Sequence, residues 1–321
     1  MKMEADYNKP YIMQLHNIYV RSAKETCPSR AFSYTLCIII VIFAGGGCDE
    51  PTPITITPEE TANIVLRDYL LAADETWDAE KTYTVHGELE IPPDITLRIP
   101  PETTVRFGRD ALVKVRGILK IGVDAEQAGA VKPVKLTSDI PGPQRGDWNG
   151  ILFDHTHGLD SFVRGAHIEY ATVALDIKTT SPTIADCTFR LNDIAIALDG
   201  SDAVIQHNEL VDNNIGIRTI GRQTRPKIER NSITRNEIGI HCENVQSIIH
   251  YNNLSGNIRA LKLWVKFDLY APENWWGTLN VESIGTAIVD AADPELLHKQ
   301  VGTVTYEPIA DGPIADAGPR R

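Results

Sequence analysis

The chain has 321 residues and a formal net charge of −12, with 42% hydrophobic and 23% charged residues. That balance is ordinary for a globular chain with a substantial core. It is too acidic for general nucleic-acid binding, which rests on Lys and Arg neutralising phosphates. No nucleic-acid partner and no cofactor is expected.

Arg21, Lys24 and Arg30 precede a fourteen-residue apolar stretch, Tyr34–Gly47. A spanning helix needs about 20 apolar residues, so this stretch reads as the core of a signal peptide occupying residues 1–47, with Met13 as an alternative start. Small residues immediately before Cys48, followed by Asp-Glu-Pro-Thr-Pro, resemble a bacterial lipoprotein processing site, although Gly45 stands where Leu, Val or Ala is usual. The resemblance implies lipidation at Cys48; ordinary cleavage and an uncleaved short anchor are the alternatives. Residues 48–60 are rich in Pro and Thr without an aromatic residue, which suits an extended tether. Residues 61–81 carry Ile64, Val65, Leu66, Tyr69, Leu70 and Leu71 at loosely helical spacing. They predict a short helix or irregular N-terminal cap, because an open solenoid end exposes unpaired strand.

Further on, the chain repeats itself. Ile184–Ile196, Ile205–Ile217 and Ile228–Ile240 share one pattern, and a fainter copy begins at Ile249. A period of about 20–50 residues marks a solenoid, since one repeat cannot bury its apolar face alone. These repeats are short, β-branched and alternating, so each is a coil of strands. The expected fold is all-β, a single-stranded right-handed parallel β-helix over 82–308. Four columns are expected to fill its bore: Ile184/Ile205/Ile228, Phe189/Leu210/Ile233, Ile194/Ile215/Ile238 and Ile196/Ile217/Ile240. Two further columns, Asn192/Asn213/Asn236/Asn257 and Asn208/Asn231/Asn252 with Cys187 at its head, are assigned to corners. Asn tolerates left-handed backbone, and its amide can donate to and accept from its copies. Cys187 and Cys242 belong to coils two steps apart, hence at least about 9 Å, beyond the ~7 Å reach of a disulfide. Both are expected as buried thiols.

The segments Thr82–Gly122, Val131–Asp139, Gly146–Phe153, Ala166–Ala171 and Glu273–Thr278 follow one another in a familiar order. With the repeats, they resemble the right-handed parallel β-helix repeat proteins of bacterial cell surfaces, within the pectin-lyase-like group. The resemblance implies a fold and a surface location, and no one activity. It also implies that Trp275 and Trp276 close the bore, one plugging the core and the other packing on the flank; the alternative is an exposed sugar-stacking platform. The lyase pattern R-x-P-x-x-R fails at both ends around Pro226, where Thr224 and Glu229 stand. The polygalacturonase patterns are absent. Inverting hydrolysis needs two carboxylates about 6.5–9.5 Å apart. The columns Asp186/His207/Arg230 and Asp193/Asn214/Glu237 offer no adjacent acidic pair.

Two clusters invite a binding role. Asp154, His155, His157 and Asp160 have metal-ligand character, weighed against a solvated polar loop; no metal site is assigned. Arg218, Arg222, Arg225, Lys227, Arg230 and Arg235 crowd an insertion in an otherwise acidic chain. Arg222, Arg225, Lys227 and Arg230 are the candidate polyanion-binding set, because guanidinium groups grip anions bidentately. The alternative is a solvated rim neutralised by Glu229 and Glu237. Ser283–Pro308 reads as strand, turn and strand, and residues 309–321 as a loose tail. The expected function is non-catalytic: a lipid-anchored protein of a bacterial cell envelope, periplasmic or on the surface, presenting a face to an anionic or neutral polysaccharide. The alternative is a carbohydrate-active lyase, hydrolase or epimerase whose site carries none of these motifs.

Overall fold

The computed structural model describes residues 63–124, 132–156, 160–221, 225–243, 246–296 and 299–320. The described residues form a right-handed parallel β-solenoid of about eight turns, followed by a short closing segment. Each full turn lays one strand on each of three faces. Face A runs from the first half of the strand Thr82–Ile91 through Thr188–Arg190 to Ser232–Thr234. Face B starts from the second half of that strand and runs through Ile194–Asp199 to Arg259–Trp264. Face C runs from Glu75–Thr76 to Ile248–His250.

The strand registers set like on like. Ile184 pairs with Ile205, Ile205 with Ile228 and Ile228 with Ile249. Phe189, Leu210 and Ile233 form a second column, and Ile196, Ile217, Ile240 and Leu261 a third. All are fully buried. The expected fourth column is corrected: Ile194, Ile215 and Ile238 are partly exposed and stand outside the core. The pairing skips the residue between the two isoleucines of each I-x-I, and Ala195, Gly216 and Gly239 turn inward there. Space explains the choice. A Cβ on Gly216 would lie 2.6 Å from the Gly239 carbonyl oxygen, and one on Gly239 the same distance from that of Ala260. The bend admits only small side chains, and the first isoleucine of each pair is turned outward.

The asparagines also sit differently from the sequence expectation. The left-handed residues are those just before them: Asp186, His207, Arg230, Tyr251 and Glu273 at the C-to-A corner, and Leu191, Asp212 and Arg235 at the A-to-B corner. Each left-handed residue projects outward and tucks the next side chain into the bore. Asn213 shows what is gained. Its Nδ2 donates to the carbonyls of Phe189 and Val211 and to Asn236 Oδ1, at 3.0–3.1 Å. Its Oδ1 accepts from the backbone N–H and Nδ2 of Asn192, at 3.0 and 3.1 Å. The second ladder runs through Asn208, Asn231 and Asn252 and continues to Asn274, a member the repeat alignment did not reach. Cys187 heads it with its N–H on Asn208 Oδ1, and both Cys187 and Cys242 are free buried thiols. Burial pushes the Cys187 thiol up to about 12.

At the N-terminal end the helical reading of 61–81 is corrected. Asn63–Leu70 is a strand paired in parallel with Thr82–Ile91. Ile64, Leu66 and Tyr69 reach the core as alternating residues displaced once by the irregularity at Asp68, a strand pattern through a bulge that mimics helical spacing. At the other end, the segment Ser283–Pro308 opens inside an α-helix, Val281–Ala287, where a strand was expected. Asn280 caps it, accepting from the Ser283 N–H at 2.8 Å. Trp276 is buried with its ring edge-on to Tyr306, while Trp275 bridges to Asn253 at the end of face A.

Truncating Ile233 to Ala should cost about 2–5 kcal/mol, because neighbours fixed above and below cannot collapse onto the gap. Ile238→Ala, in the outward column, should cost far less. Urea denaturation of both variants checks the register; equal losses would contradict it.

Candidate functional site

The described cations of the segment 218–235 each lie against an acidic side chain. Lys227 lies on face C with its Nζ 2.8 Å from Glu229. Arg230 stands on the C-to-A corner, 3.5 Å from Glu229 and 2.8 Å from Asp316. Arg235 occupies the A-to-B corner in a two-pronged pair with Asp212 at 2.9 and 3.0 Å. Arg218 is on face B, 2.7 Å from Glu243. The exposed Arg225 donates its backbone N–H to Asp202, and Arg222 lies outside the described residues. Of the candidate set, Lys227 and Arg230 thus meet on one carboxylate, Glu229, while Arg218 and Arg235 stand on other sides of the three-sided cross-section. Of the DHTHGLD cluster, Asp154 bonds His155 at 2.6 Å and Asp160 pairs with Lys120 at 3.1 Å. His157 lies outside the described residues, as does Cys48. No group of three metal-ligating side chains occurs among the described residues.

A different set is assembled on face B. Arg218 pairs in register with His241, and His241 with Lys262. Glu243 pairs with Trp264 in the next outward row. The Glu243 carboxylate takes both prongs of the Arg218 guanidinium, at 2.7 and 3.3 Å, and lies 3.3 Å from His241 Nδ1. Trp264 is partly exposed, with Lys262 Nζ 5.5 Å and Lys299 Nζ 4.5 Å from its ring centre. Ammonium groups at that range are held by the ring's electron-rich face. Behind Arg218 the row dips at Ala197 and rises again at Asp176, whose carboxyl burial pushes above its usual value. The patch is flat, polar and rigid, with an aromatic plate at one end.

His241 is unusual within it. Its Nε2 is buried without a hydrogen-bond partner. Burial lowers its pKa to about 4, outweighing the opposing pull of Glu243. The ring is thus neutral at physiological pH.

Residues 145–274 match the family model described as the right handed beta helix region. The match spans less than half of the chain and agrees with the observed coil. The fold is a right-handed parallel β-helix. No curated protein and no solved structure gives a significant match. The matched region of this β-helix holds the Asn ladders and most of the face-B patch; Lys299 and the segment after it lie beyond.

That segment, the expected loose tail, is also corrected. Residues 309–320 of the β-helix run back along the C-to-A corner, held by Asn253, His207, Arg230 and Asp186. Composition alone suggested a free end, because Pro, Gly and Ala bury little. The side chains that clasp residues 314–320 are polar and lie more than sixty positions away in sequence.

The face-B patch was not legible in the sequence. Its rows carry no repeated residue type, and its parts sit in strands about twenty residues apart. The available signal was the register: Arg218 and His241 follow the I-x-I of their coils, and Lys262 follows the corresponding Arg259-Ala260-Leu261.

The His241 geometry sets a pH dependence. Its folded pKa lies below the unfolded value of about 6.5. Between these values the unfolded chain takes up a proton that the folded chain refuses, so stability falls as pH drops from about 6.5 to about 4. Below that the contribution no longer changes. His241→Gln should make the loss shallower over this window. An NMR titration should place the His241 midpoint near the lower limit; a midpoint above 6 would contradict the buried, neutral ring.

Proposed function

We propose that this protein is a lipid-anchored component of a bacterial cell envelope that binds carbohydrate on face B without transforming it. The observation that carries the binding role is Trp264, a partly exposed ring on a flat sheet face flanked by Lys262 and Lys299. A sugar ring has an apolar C–H face that packs on an aromatic plate and a rim of hydroxyls that needs donors and acceptors. Trp264 supplies the plate. Arg218, His241, Glu243 and the two lysines supply the rim. Rows spaced about 4.8 Å apart on rigid strands fix these groups along the solenoid axis, which suits a linear polymer. Lys262 and Lys299 favour sugars bearing carboxylate or sulfate, since charge-assisted hydrogen bonds are roughly twice as strong as neutral ones.

The anchor rests on the sequence around Cys48. A single acyl chain binds a membrane only marginally, so stable attachment there requires several chains on one residue. A Pro- and Thr-rich tether then separates the coil from the bilayer.

Trp264→Ala should weaken glycan binding by about tenfold or more while leaving thermal unfolding unchanged, since the ring lies outside the core. A glycan array with product detection reads both questions at once. Unchanged array signals would remove face B as the site, and released product would turn the assignment to an enzyme. Cys48→Ser should move the protein from the membrane fraction to the soluble one; continued sedimentation with membranes would refute the lipid anchor.

A further inference from the structure

The tail fills a valley that the coil geometry creates. At the C-to-A corner, Asp186, His207, Arg230 and Tyr251 project outward from left-handed backbone, forming a ridge. The next residues, Cys187 and the asparagines of the second ladder, point into the bore. The residues after those, Thr188, Glu209, Ser232 and Asn253, pair in register along the first outward row of face A. Ridge, inward row and outward row leave a groove parallel to the solenoid axis, floored by the backbone over the ladder.

The contacts in this groove are those of peptide recognition. Asn253 brackets the backbone of one residue, accepting from the Ile314 N–H at 2.8 Å and donating to the Ile314 carbonyl at 3.1 Å. Arg230 Nε donates to the Asp316 carboxylate at 2.8 Å. His207 Nδ1 lies 3.0 Å from the Asp316 carbonyl, so that nitrogen carries the proton. Gly318 donates its N–H to the Arg230 carbonyl at 2.9 Å and sits at φ +110°, a conformation suited to glycine. Arg320 closes the run with both prongs and its backbone N–H on Asp186, at 2.6–3.1 Å. Backbone and side chain are both read, in the order Ile-x-Asp-x-Gly-x-Arg. Upstream, Ala310 is tied to Asn274 at 3.2 Å. The intervening Asp311-Gly312-Pro313 has open space around Gly312.

We propose that this groove is a docking site for an extended peptide of that pattern, and that it accepts the segment Ile314–Arg320 from a second copy of the chain as well as from its own. The hinge at 311–313 lets the segment leave its own groove without unwinding a coil, which is the low-cost route to exchange between identical chains. Within one molecule the tethered segment competes at an effective concentration in the millimolar range, so its own groove is normally filled.

The probe is a fluorescent synthetic peptide of residues 314–321. A chain ending at Pro313 should bind it saturably, and the full chain should not. Asn253→Ala and Asp186→Asn should each weaken binding roughly tenfold or more, as the loss of a charge-assisted or paired contact does. Should the shortened chain fail to fold, the full chain carrying Asp316→Ala and Arg320→Ala frees the groove without altering it and should take up the peptide. For exchange between copies, a chain with Asn253→Ala and Asp186→Asn but an intact tail is mixed with the shortened chain, or with the Asp316→Ala, Arg320→Ala chain if the shortened one does not fold. Sedimentation should show a one-to-one complex. Folded protein with an emptied groove that ignores the peptide, or binds it regardless of Asn253 and Asp186, overturns the docking site. Peptide binding without the mixed complex overturns exchange between copies.

Discussion

The structure depends on amide ladders buried at two of its corners. A parallel solenoid must turn sharply several times per coil, and each turn strands backbone carbonyls and N–H groups where no strand pairs them. Left unmade, each such group costs about 1–3 kcal/mol when buried. A column of asparagines satisfies them. Asn231 alone donates to the carbonyls of Ile205 and Glu229 and to Asn252, and accepts from the N–H of Asn208. The links to Ile205, Asn208 and Asn252 join one coil to the next, so ladder and coil spacing are a single constraint. Bulky aliphatic columns can then stack on identical neighbours, because the corners hold them in register.

The same constraint decides what the surface can do. With every inward position committed to the bore or to a ladder, function is left to outward rows whose residues need not repeat. On face B those rows gather Arg218, His241, Glu243, Lys262 and Trp264 from three successive strands. None is required to make the coil. His241 bears the cost of its position, a ring nitrogen buried without a partner, and such unsatisfied groups concentrate where a surface has a role beyond stability.

How much was legible follows from this division. Inward columns repeat in type, so the parallel coil, three of four apolar columns and both ladders could be read directly. Ile194, Ile215 and Ile238 were misplaced because alternation was carried through a bend that the chain turns at its small residues. The asparagines were rightly put at corners but given the wrong backbone. The left-handed residue is the variable one before each ladder member: Asp, His, Arg, Tyr or Glu at one corner, Leu, Asp or Arg at the other. Only glycine advertises that conformation in a sequence, and here almost none is used. The arginines from 218 to 235 looked like one cluster because they are near in sequence; the three-sided cross-section sets the described Arg218, Arg230 and Arg235 apart. The tail was illegible for the opposite reason, since its partners are distant in sequence and polar.

The two ladders also make two valleys, and their difference is instructive. At the A-to-B corner the ridge of Leu191, Asp212 and Arg235 faces the row Asp193, Asn214 and Glu237. There Asn214 bonds Asp193 at 2.8 Å, Arg235 clasps Asp212, and Arg145 reaches over to the Asp212 carbonyl at 2.6 Å. These groups satisfy one another locally. At the C-to-A corner Asn253, His207, Arg230 and Asp186 instead direct bonds along the groove to a segment that lies in it. Both valleys follow from the same inward-pointing asparagines and the same left-handed ridge. What distinguishes them is whether the outward residues pair among themselves or with a separate stretch of chain. The ladder makes the groove unavoidable, and the variable residues beside it decide what the groove receives.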